Sequence, residues 1–87
     1  MNPLYAAPYR GRGDLRYTMR DFARAIADFS TAIGLDPKFE AAYAGRAHSY
    51  EALRLTAEAI ADYRQALAID PRNPYTLAGM KRLGVSP

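Results

Sequence analysis

Apolar residues recur at helical spacing in two stretches of the chain. The first stripe has positions i, i+3, i+4, i+7, i+10 and i+11, held by Phe22, Ala25, Ile26, Phe29, Ala32 and Ile33. The same offsets in the second stripe hold Thr56, Ala59, Ile60, Tyr63, Ala66 and Leu67. This spacing places each set on one face of a helix. The pattern therefore predicts two amphipathic helices with equivalent apolar stripes.

Polar residues and prolines mark the expected ends of these two helices. Asp21 and Thr56 are the predicted N-caps, because their side-chain oxygens can accept hydrogen bonds from first-turn amides. Pro37 and Pro71 end the helices, since proline disfavours the α conformation at the residue before it and has no amide to donate.

Three further segments favour helix, with different strength. Residues 41–54 form a fair amphipathic pattern, whereas residues 8–19 are weakened by Gly11 and Gly13 and tolerate Pro8 only in the first turn. The last segment starts with Asn73 as cap and is closed by Gly84. The prediction is an all-α chain with five helices and no strands.

The chain repeats itself every 34 residues. Prolines stand at positions 3, 37 and 71, and residues 6–39 aligned with 40–73 share 13 identities. These units define repeat 1 (6–39) and repeat 2 (40–73), and a third copy stops after a capping helix over 74–84. We expect a single domain over residues 1–87.

The repeated residues resemble the tetratricopeptide repeat family. Tyr9 and Tyr43 match its early aromatic residue, and Gly13 and Ala47 match its small residue. In the second helix, Ala25 with Phe29 and Ala59 with Tyr63 match its Ala-x-x-x-aromatic pair, and Pro37 and Pro71 match its final proline. Three features depart from the pattern. Arg16 replaces a tyrosine, Arg20 and Arg54 fill a turn site that is usually glycine, and Leu55-Thr56 replaces an acidic-aromatic pair.

The resemblance implies a right-handed α-α superhelix, a solenoid whose first helices line a concave groove. The groove-facing residues would be Ala7, Arg10, Asp14 and Tyr17, then Ala41, Ala44, His48 and Glu51, then Tyr75, Ala78 and Arg82. It also implies a protein-protein interaction module without catalysis. The predicted partner-binding residues, for a peptide or partner protein, are Arg10, Asp14, Tyr17, His48, Glu51, Tyr75 and Arg82.

Some family members clamp the carboxylates of chaperone tails with Lys, Asn and Arg side chains in this groove. Arg10 is a partial match, but Asp14, Gly45 and Gly79 fall where the resemblance would need Asn, Asn and Arg. Because Asp14 would repel a nearby carboxylate, chaperone-tail binding is not the favoured interpretation.

The composition argues against several other classes of function. Twelve Lys and Arg against nine Asp and Glu give a net charge of +3, but the basic residues are scattered among the acids, so nucleic-acid binding is not favoured. With no cysteine and one histidine, we expect no metal site and no disulfide, and we expect no cofactor or small-molecule substrate. The absence of a long apolar stretch or leader pattern predicts no membrane contact and a cytoplasmic location.

Several short motifs have simpler structural explanations. The tripeptide Arg12-Gly13-Asp14 resembles an adhesion motif but falls inside a predicted helix. His48 and Ser49 are neighbours on a helix, so their side chains point about 100° apart and cannot act together as base and nucleophile. Asp28 and Asp62, which could suggest paired catalytic carboxylates, are expected on the solvated side of the second helices, pairing with Arg24 or an adjacent arginine.

Two alternatives to a peptide-binding module stay open. Repeat arrays generally need about three units, and this chain has two and a half. It could therefore be a self-assembling unit, forming a homodimer through its groove or end helices, or a fragment of a longer repeat array or a designed chain.

Overall fold

The computed structural model describes residues 5–87, and within them the chain forms five helices and no strand. The helices are α1 (Ala6–Thr18), α2 (Phe22–Leu35), α3 (Glu40–Ala52), α4 (Thr56–Ile69) and α5 (Pro74–Arg82). The predicted all-α chain of five helices is confirmed. Pro3, the first proline of the 34-residue period, lies outside the described residues.

Helix ends follow the predicted chemistry in all but one case. The Asp21 carboxylate accepts from the Arg24 amide at 3.4 Å, and Asn73 Oδ1 accepts from the amide of Tyr75 at 2.8 Å. The prediction for Thr56 is wrong, because Thr56 is the first residue of α4 and its predecessor, Leu55, makes no side-chain capping bond. The helix α4 therefore begins without a side-chain cap, and the Thr56 hydroxyl has no capping role.

Each helical hairpin turns on a residue with left-handed backbone. Arg20 and Arg54 both have φ of 62°, the conformation that glycine adopts most readily. The amide of Asp21 bonds to Arg16 O at 2.8 Å, and that of Leu55 bonds to Tyr50 O at 2.9 Å. The hydrogen-bonded turn therefore forms in both repeats although arginine replaces the usual glycine.

The helices pack as successive hairpins with two apolar clusters between them. The first cluster contains Ala6, Ala25, Phe29, Ala32 and Ala42, and the second contains Ala47, Ala59, Tyr63 and Met80. All nine residues are fully buried. Because α2 packs on α3 and α4 on α5, the hairpins stack along the chain as a helical repeat solenoid.

Glycines let one repeat pack closely on the next. A Cβ at Gly45 would lie 2.5 Å from the Phe29 ring, and a Cβ at Gly79 would clash with the Tyr63 ring. These glycines and rings are each one period apart, so the same contact joins α2 to α3 and α4 to α5. An aromatic ring seated over a glycine is therefore the recurrent junction of the fold.

The prediction that Asp28 and Asp62 face solvent is wrong. Their exposed fractions are only 3% and 5%. Arg12 donates to both oxygens of Asp28, at 3.0 and 2.8 Å, and Arg46 donates to both oxygens of Asp62, at 2.7 and 2.8 Å. The partner lies sixteen residues earlier, on the facing helix of the same hairpin, and not on the aspartate's own helix.

Repeat 1 adds a second arginine to its buried aspartate. Arg16, which stands where the family pattern has tyrosine, donates from Nη1 to Asp28 Oδ2 at 3.0 Å. The hydrogen bonds from Arg12 are the main reason that the pKa of Asp28 lies below its usual value. The departure at position 16 thus strengthens an ion-pair cluster between α1 and α2.

Candidate functional site

The predicted partner-binding residues come together along one groove formed by α1, α3 and α5. One cavity, of about 250 Å³, is lined by Arg10, Asp14, Glu40, Ala41, Ala44, Gly45, His48, Asn73 and Tyr75. A second cavity, of about 300 Å³, is lined by Tyr17, His48, Glu51, Ala52 and Arg82. His48 belongs to both, so the two cavities adjoin. Together they are called the groove below.

The first cavity has small side chains between polar and aromatic ones. Ala41 and Ala44 lie on α3 within one turn of each other, and their small side chains leave room for the backbone of another chain to approach. Tyr75, at the start of α5, is 73% exposed. The cavity thus offers a shallow apolar surface beside an exposed aromatic ring.

The second cavity is built on a hydrogen-bonded polar cluster. Tyr63 lies on α4 with its side chain in the core, and its hydroxyl donates to Glu51 Oε1 at 2.6 Å. The same hydroxyl lies 2.8 Å from His48 Nδ1. Arg82, from α5, donates through Nε to Glu51 Oε2 at 3.0 Å. Three helices therefore fix the position of the Glu51 carboxylate.

This cluster sets the protonation of His48. The single proton of the Tyr63 hydroxyl goes to Glu51, so the hydroxyl oxygen accepts and Nδ1 of His48 carries the hydrogen. Burial, and then the charge of Arg82, hold the pKa of His48 below its usual value. Near neutral pH the ring is therefore uncharged, and its Nε2 is a hydrogen-bond acceptor.

Acidic groups in the groove outnumber basic ones. Arg10 Nε lies 2.9 Å from Asp14 Oδ2, an ion pair by distance rather than by hydrogen-bond geometry. Arg82 is paired with Glu51, and its hydrogen bond is the main reason that the pKa of Glu51 is lowered. Two arginines thus face three carboxylates, although the whole chain has a net charge of +3.

The third carboxylate, Glu40, lies at the first turn of α3 near the end of the groove. It accepts a hydrogen bond from the side-chain amide of Asn73. Burial and the nearby charge of Asp70 raise the pKa of Glu40 above its usual value. The Asn73 hydrogen bond and the charge of Arg10 offset this rise in pKa only in part.

All seven predicted partner-binding residues line the groove, together with residues that the sequence pattern did not indicate. Glu40, Ala52 and Asn73 also line it, and the buried Tyr63 of α4 supports it from below by its hydrogen bond to Glu51. Glu40 and Asn73 are 33 residues apart, so the repeat period could have placed these two helix starts side by side. Two residues predicted to face the groove, Ala7 and Ala78, do not line either cavity.

The adhesion-like tripeptide and the His48-Ser49 pair both lie in helices. Arg12-Gly13-Asp14 is within α1, where a Cβ on Gly13 would lie 2.8 Å from the Phe29 ring. The Ser49 hydroxyl donates to Gly45 O at 2.9 Å and is fully buried, away from the His48 hydrogen bond to Tyr63. Neither set forms an exposed loop or a base-nucleophile pair.

Membrane-spanning helices and metal-binding clusters are both absent from the described residues. Over residues 5–87, none of the helices combines the length and the apolar character needed to cross a lipid bilayer. The same residues hold no group of three or more His, Cys, Asp or Glu side chains arranged to bind a metal ion.

Comparison with known proteins places this geometry in a family. The family model described as "Tetratricopeptide repeat" matches residues 10–74. A search of curated proteins gives no match. Among solved structures, the Arabidopsis OM64 TPR domain superposes with a TM-score of 0.90 at 33% sequence identity, covering 91% of this chain and 65% of that one.

A second solved structure was determined with a peptide. It is the first TPR of Spaghetti (RPAP3) bound to the HSP90 peptide SRMEEVD, with a TM-score of 0.86 and 25% identity. The match covers 95% of this chain and 64% of that chain. This chain therefore spans somewhat less than two thirds of both structures. The matched residues 10–74 span both stacked hairpins apart from the first turn of α1, and the chain belongs to the tetratricopeptide repeat family.

Proposed function

We propose that this protein-interaction module binds an extended peptide segment of a partner protein in the groove between α1, α3 and α5. The main support is that seven residues from three helices converge on two adjoining cavities. Membership of an interaction family and a peptide-bound relative in the same fold add to it. The groove provides small residues for close approach of a backbone, together with the exposed ring of Tyr75.

The charges of the groove favour an uncharged or basic segment over an acidic one. Both groove arginines already have carboxylate partners, whereas Glu40 and Asp70 repel each other's charge. A Lys or Arg of the peptide near Glu40 would relieve this repulsion. Nε2 of neutral His48 can accept a hydrogen bond from a peptide amide.

Selection from a displayed peptide library tests the site. Peptides that bind the intact chain are titrated against the double variant Tyr17→Ala/Tyr75→Ala, and we expect the affinity to fall by about tenfold or more. Matched controls outside the groove are Tyr5→Ala, which removes a 64% exposed tyrosine, and Arg64→Ala on α4. Equal binding to the groove variant and the controls would refute the proposed site.

The acidic peptide SRMEEVD tests the charge preference. We expect it to bind weakly, and we expect Asp14→Asn to strengthen its binding several-fold, because the change removes a carboxylate and frees Arg10 from its partner. Glu58→Gln, at an exposed site in the first turn of α4, makes the same kind of change outside the groove and should have no effect. Tight binding of SRMEEVD to the unchanged chain would contradict the charge argument.

Self-association is the alternative function, with the groove holding part of a second copy. Sedimentation of the chain over a range of concentrations separates the two. A monomer that keeps its peptide affinity supports the module. A dimer dissociated by Tyr17→Ala/Tyr75→Ala would assign the groove to self-assembly.

A further inference from the structure

The second cavity of the groove has two nitrogen atoms that can still form hydrogen bonds. Arg82 donates through Nε and Nη2 to the oxygens of Glu51, and its Nη1 donates to no atom of residues 5–87. His48 bonds through Nδ1 to Tyr63, and over the same residues its Nε2 has no partner. The Arg82 side chain is 51% exposed, and Nε2 of His48 is in contact with solvent. The cavity therefore offers a ligand one donor and one acceptor.

The donor and the acceptor lie close together. The Tyr63 hydroxyl oxygen is 2.8 Å from His48 Nδ1 and 3.4 Å from Arg82 Nη2. Each of these nitrogens shares a carbon atom with Nε2 or Nη1 of its own group. The ring of Tyr17 supplies an apolar face beside them, because it lines the same cavity with its centroid 6.4 Å from that of the His48 ring.

Hydrogen bonds from the core decide which of the two nitrogens is the acceptor. Burial raises the pKa of Tyr63, so its hydroxyl keeps its proton and donates it to Glu51. The same oxygen must then accept from Nδ1 of His48. Since His48 is neutral near pH 7, its Nε2 carries no hydrogen. Nε2 is therefore an acceptor, and Nη1 of Arg82 is the donor.

A primary carboxamide is the peptide group that fits this pair of atoms. It carries a carbonyl oxygen for Arg82 and an N–H for His48 on the same edge. A carboxylate has no hydrogen for Nε2, and an ammonium or guanidinium group has no acceptor for Nη1. A backbone amide has both, but in a trans peptide the N–H and the C=O point in opposite directions, so it can meet one of the two nitrogens.

We propose that the second cavity selects an asparagine or glutamine side chain of the bound peptide. Its volume of about 300 Å³ is at the small end of ligand pockets and suits one such side chain. The carboxamide bridges Arg82 and His48, and its methylene groups pack on the Tyr17 ring. Tyr63 and Glu51 are positioning residues, which hold the two nitrogens in place. The inference rests on the proposed function, because the side chain belongs to a peptide in the groove.

Peptides selected from a displayed library test the site first. We expect them to share an Asn or Gln at one position. Replacing this Asn by Asp, or Gln by Glu, changes the shape of the peptide little. At about pH 7.5 it should weaken binding at least about tenfold, because the carboxylate leaves Nε2 of His48 without a donor. Isothermal titration calorimetry of both peptide forms gives the ratio of affinities.

His48→Lys should reverse this preference. A lysine ammonium donates to a carboxylate, so the acidic form of the peptide should bind this variant more tightly than the carboxamide form. Gln65→Lys is the matched control, since it adds the same charge at an exposed site on α4 outside the groove, and it should keep the carboxamide preference. Each result is a ratio of affinities for one protein variant, so a general loss of stability does not imitate it.

The state of His48 can also be measured without peptide. It is the single histidine of the chain, so NMR of the isotope-labelled protein reports on one imidazole ring. At about pH 7.5 we expect a hydrogen on Nδ1 and none on Nε2. A hydrogen on Nε2 would overturn the proposal, because both ligand-facing nitrogens would then be donors.

The peptide results distinguish a failure of this site from a failure of the proposed function. Peptides that bind in the groove without a shared Asn or Gln would overturn the carboxamide site and leave the groove as a peptide site. Equal affinities of the carboxamide and acidic forms would do the same. If no peptide of the library binds, the proposed function and this inference fail together.

Discussion

The two repeats have the same residues at key positions in different surroundings. Gly45 lies under the ring of Phe29, whereas Gly11 has open space beside it. The side chain of Arg46 is 21% exposed, and that of its counterpart Arg12 is 53% exposed. A periodic residue therefore has a packing role only where the neighbouring hairpin covers it. Within the described residues, Gly11 and Arg12 have no such cover, and both are exposed.

Alanine substitution of the periodic glycines should give effects of opposite sign. Gly45→Ala should destabilise the fold by about 2–3 kcal/mol, because the new Cβ would clash with the Phe29 ring in a packed junction. Gly11→Ala should stabilise it by about 0.5–1 kcal/mol, since it replaces a helical glycine in open space. Urea unfolding measures both changes. Similar losses in the two variants would mean that Gly11 is also packed against another group in the free chain.

The rings of the two junctions differ by one hydroxyl group. Tyr63→Phe should cost about 1–2 kcal/mol, because it leaves Glu51 and His48 without the hydrogen-bond partner that they share. Repeat 1 has Phe29 at this position and needs no such partner. Thermal unfolding of the variant, with its helix content checked by circular dichroism, gives the value. An unchanged stability would show that the polar cluster does not hold α3, α4 and α5 together.

The two hairpin turns offer a finer comparison. Arg54→Gly should stabilise the fold by about 0.5–1 kcal/mol, because glycine adopts the positive φ of this turn without strain. Arg20→Gly should gain less, since the guanidinium of Arg20 stacks over the Phe22 ring, whereas Thr56 holds the matching position in repeat 2. Chemical denaturation of the two single variants tests the order. A larger gain at position 20 would contradict it.

The smallest expected effect is a dependence of stability on pH near neutrality, which arises from His48 in repeat 2. The matching position in repeat 1 is held by Asp14. The folded pKa of His48 is lowered, so the unfolded chain takes up a proton first as the pH falls below about 6.5. Its contribution to stability is therefore present above that pH and is lost below it. Unfolding free energies between pH 7.5 and 5.5 should decline less steeply for His48→Gln. Identical slopes for both chains would be the contrary result.

Much of the fold follows from the sequence because the 34-residue period and the helical stripes are local patterns. Asn73 and Gly84, for example, mark the last helix through interactions with their own neighbours. The buried state of Asp28 and Asp62 could not be predicted in this way. Their arginine partners lie on facing helices, and only packing within a hairpin brings them together.

The residues of the groove, too, could be predicted from the sequence only in part. The repeat pattern predicts that residues such as Arg10 and His48 share a face, and they do line one cavity. It does not predict the role of the Tyr63 hydroxyl, because an aromatic residue in an apolar stripe is expected in the core. The hydroxyl meets Glu51 and Arg82 only because α4 packs against α3 and α5. The charge balance of the groove likewise depends on pairs formed between helices, such as Arg82 with Glu51.

NMR titration of the isotope-labelled chain with a library-selected peptide would show whether the groove holds a peptide from a partner protein. We predict that the largest shifts occur at the amides of Ala41, Ala44, His48 and Tyr75, along one side of the molecule. Shifts concentrated on the exposed faces of α2 and α4, with these four amides unmoved, would contradict the account.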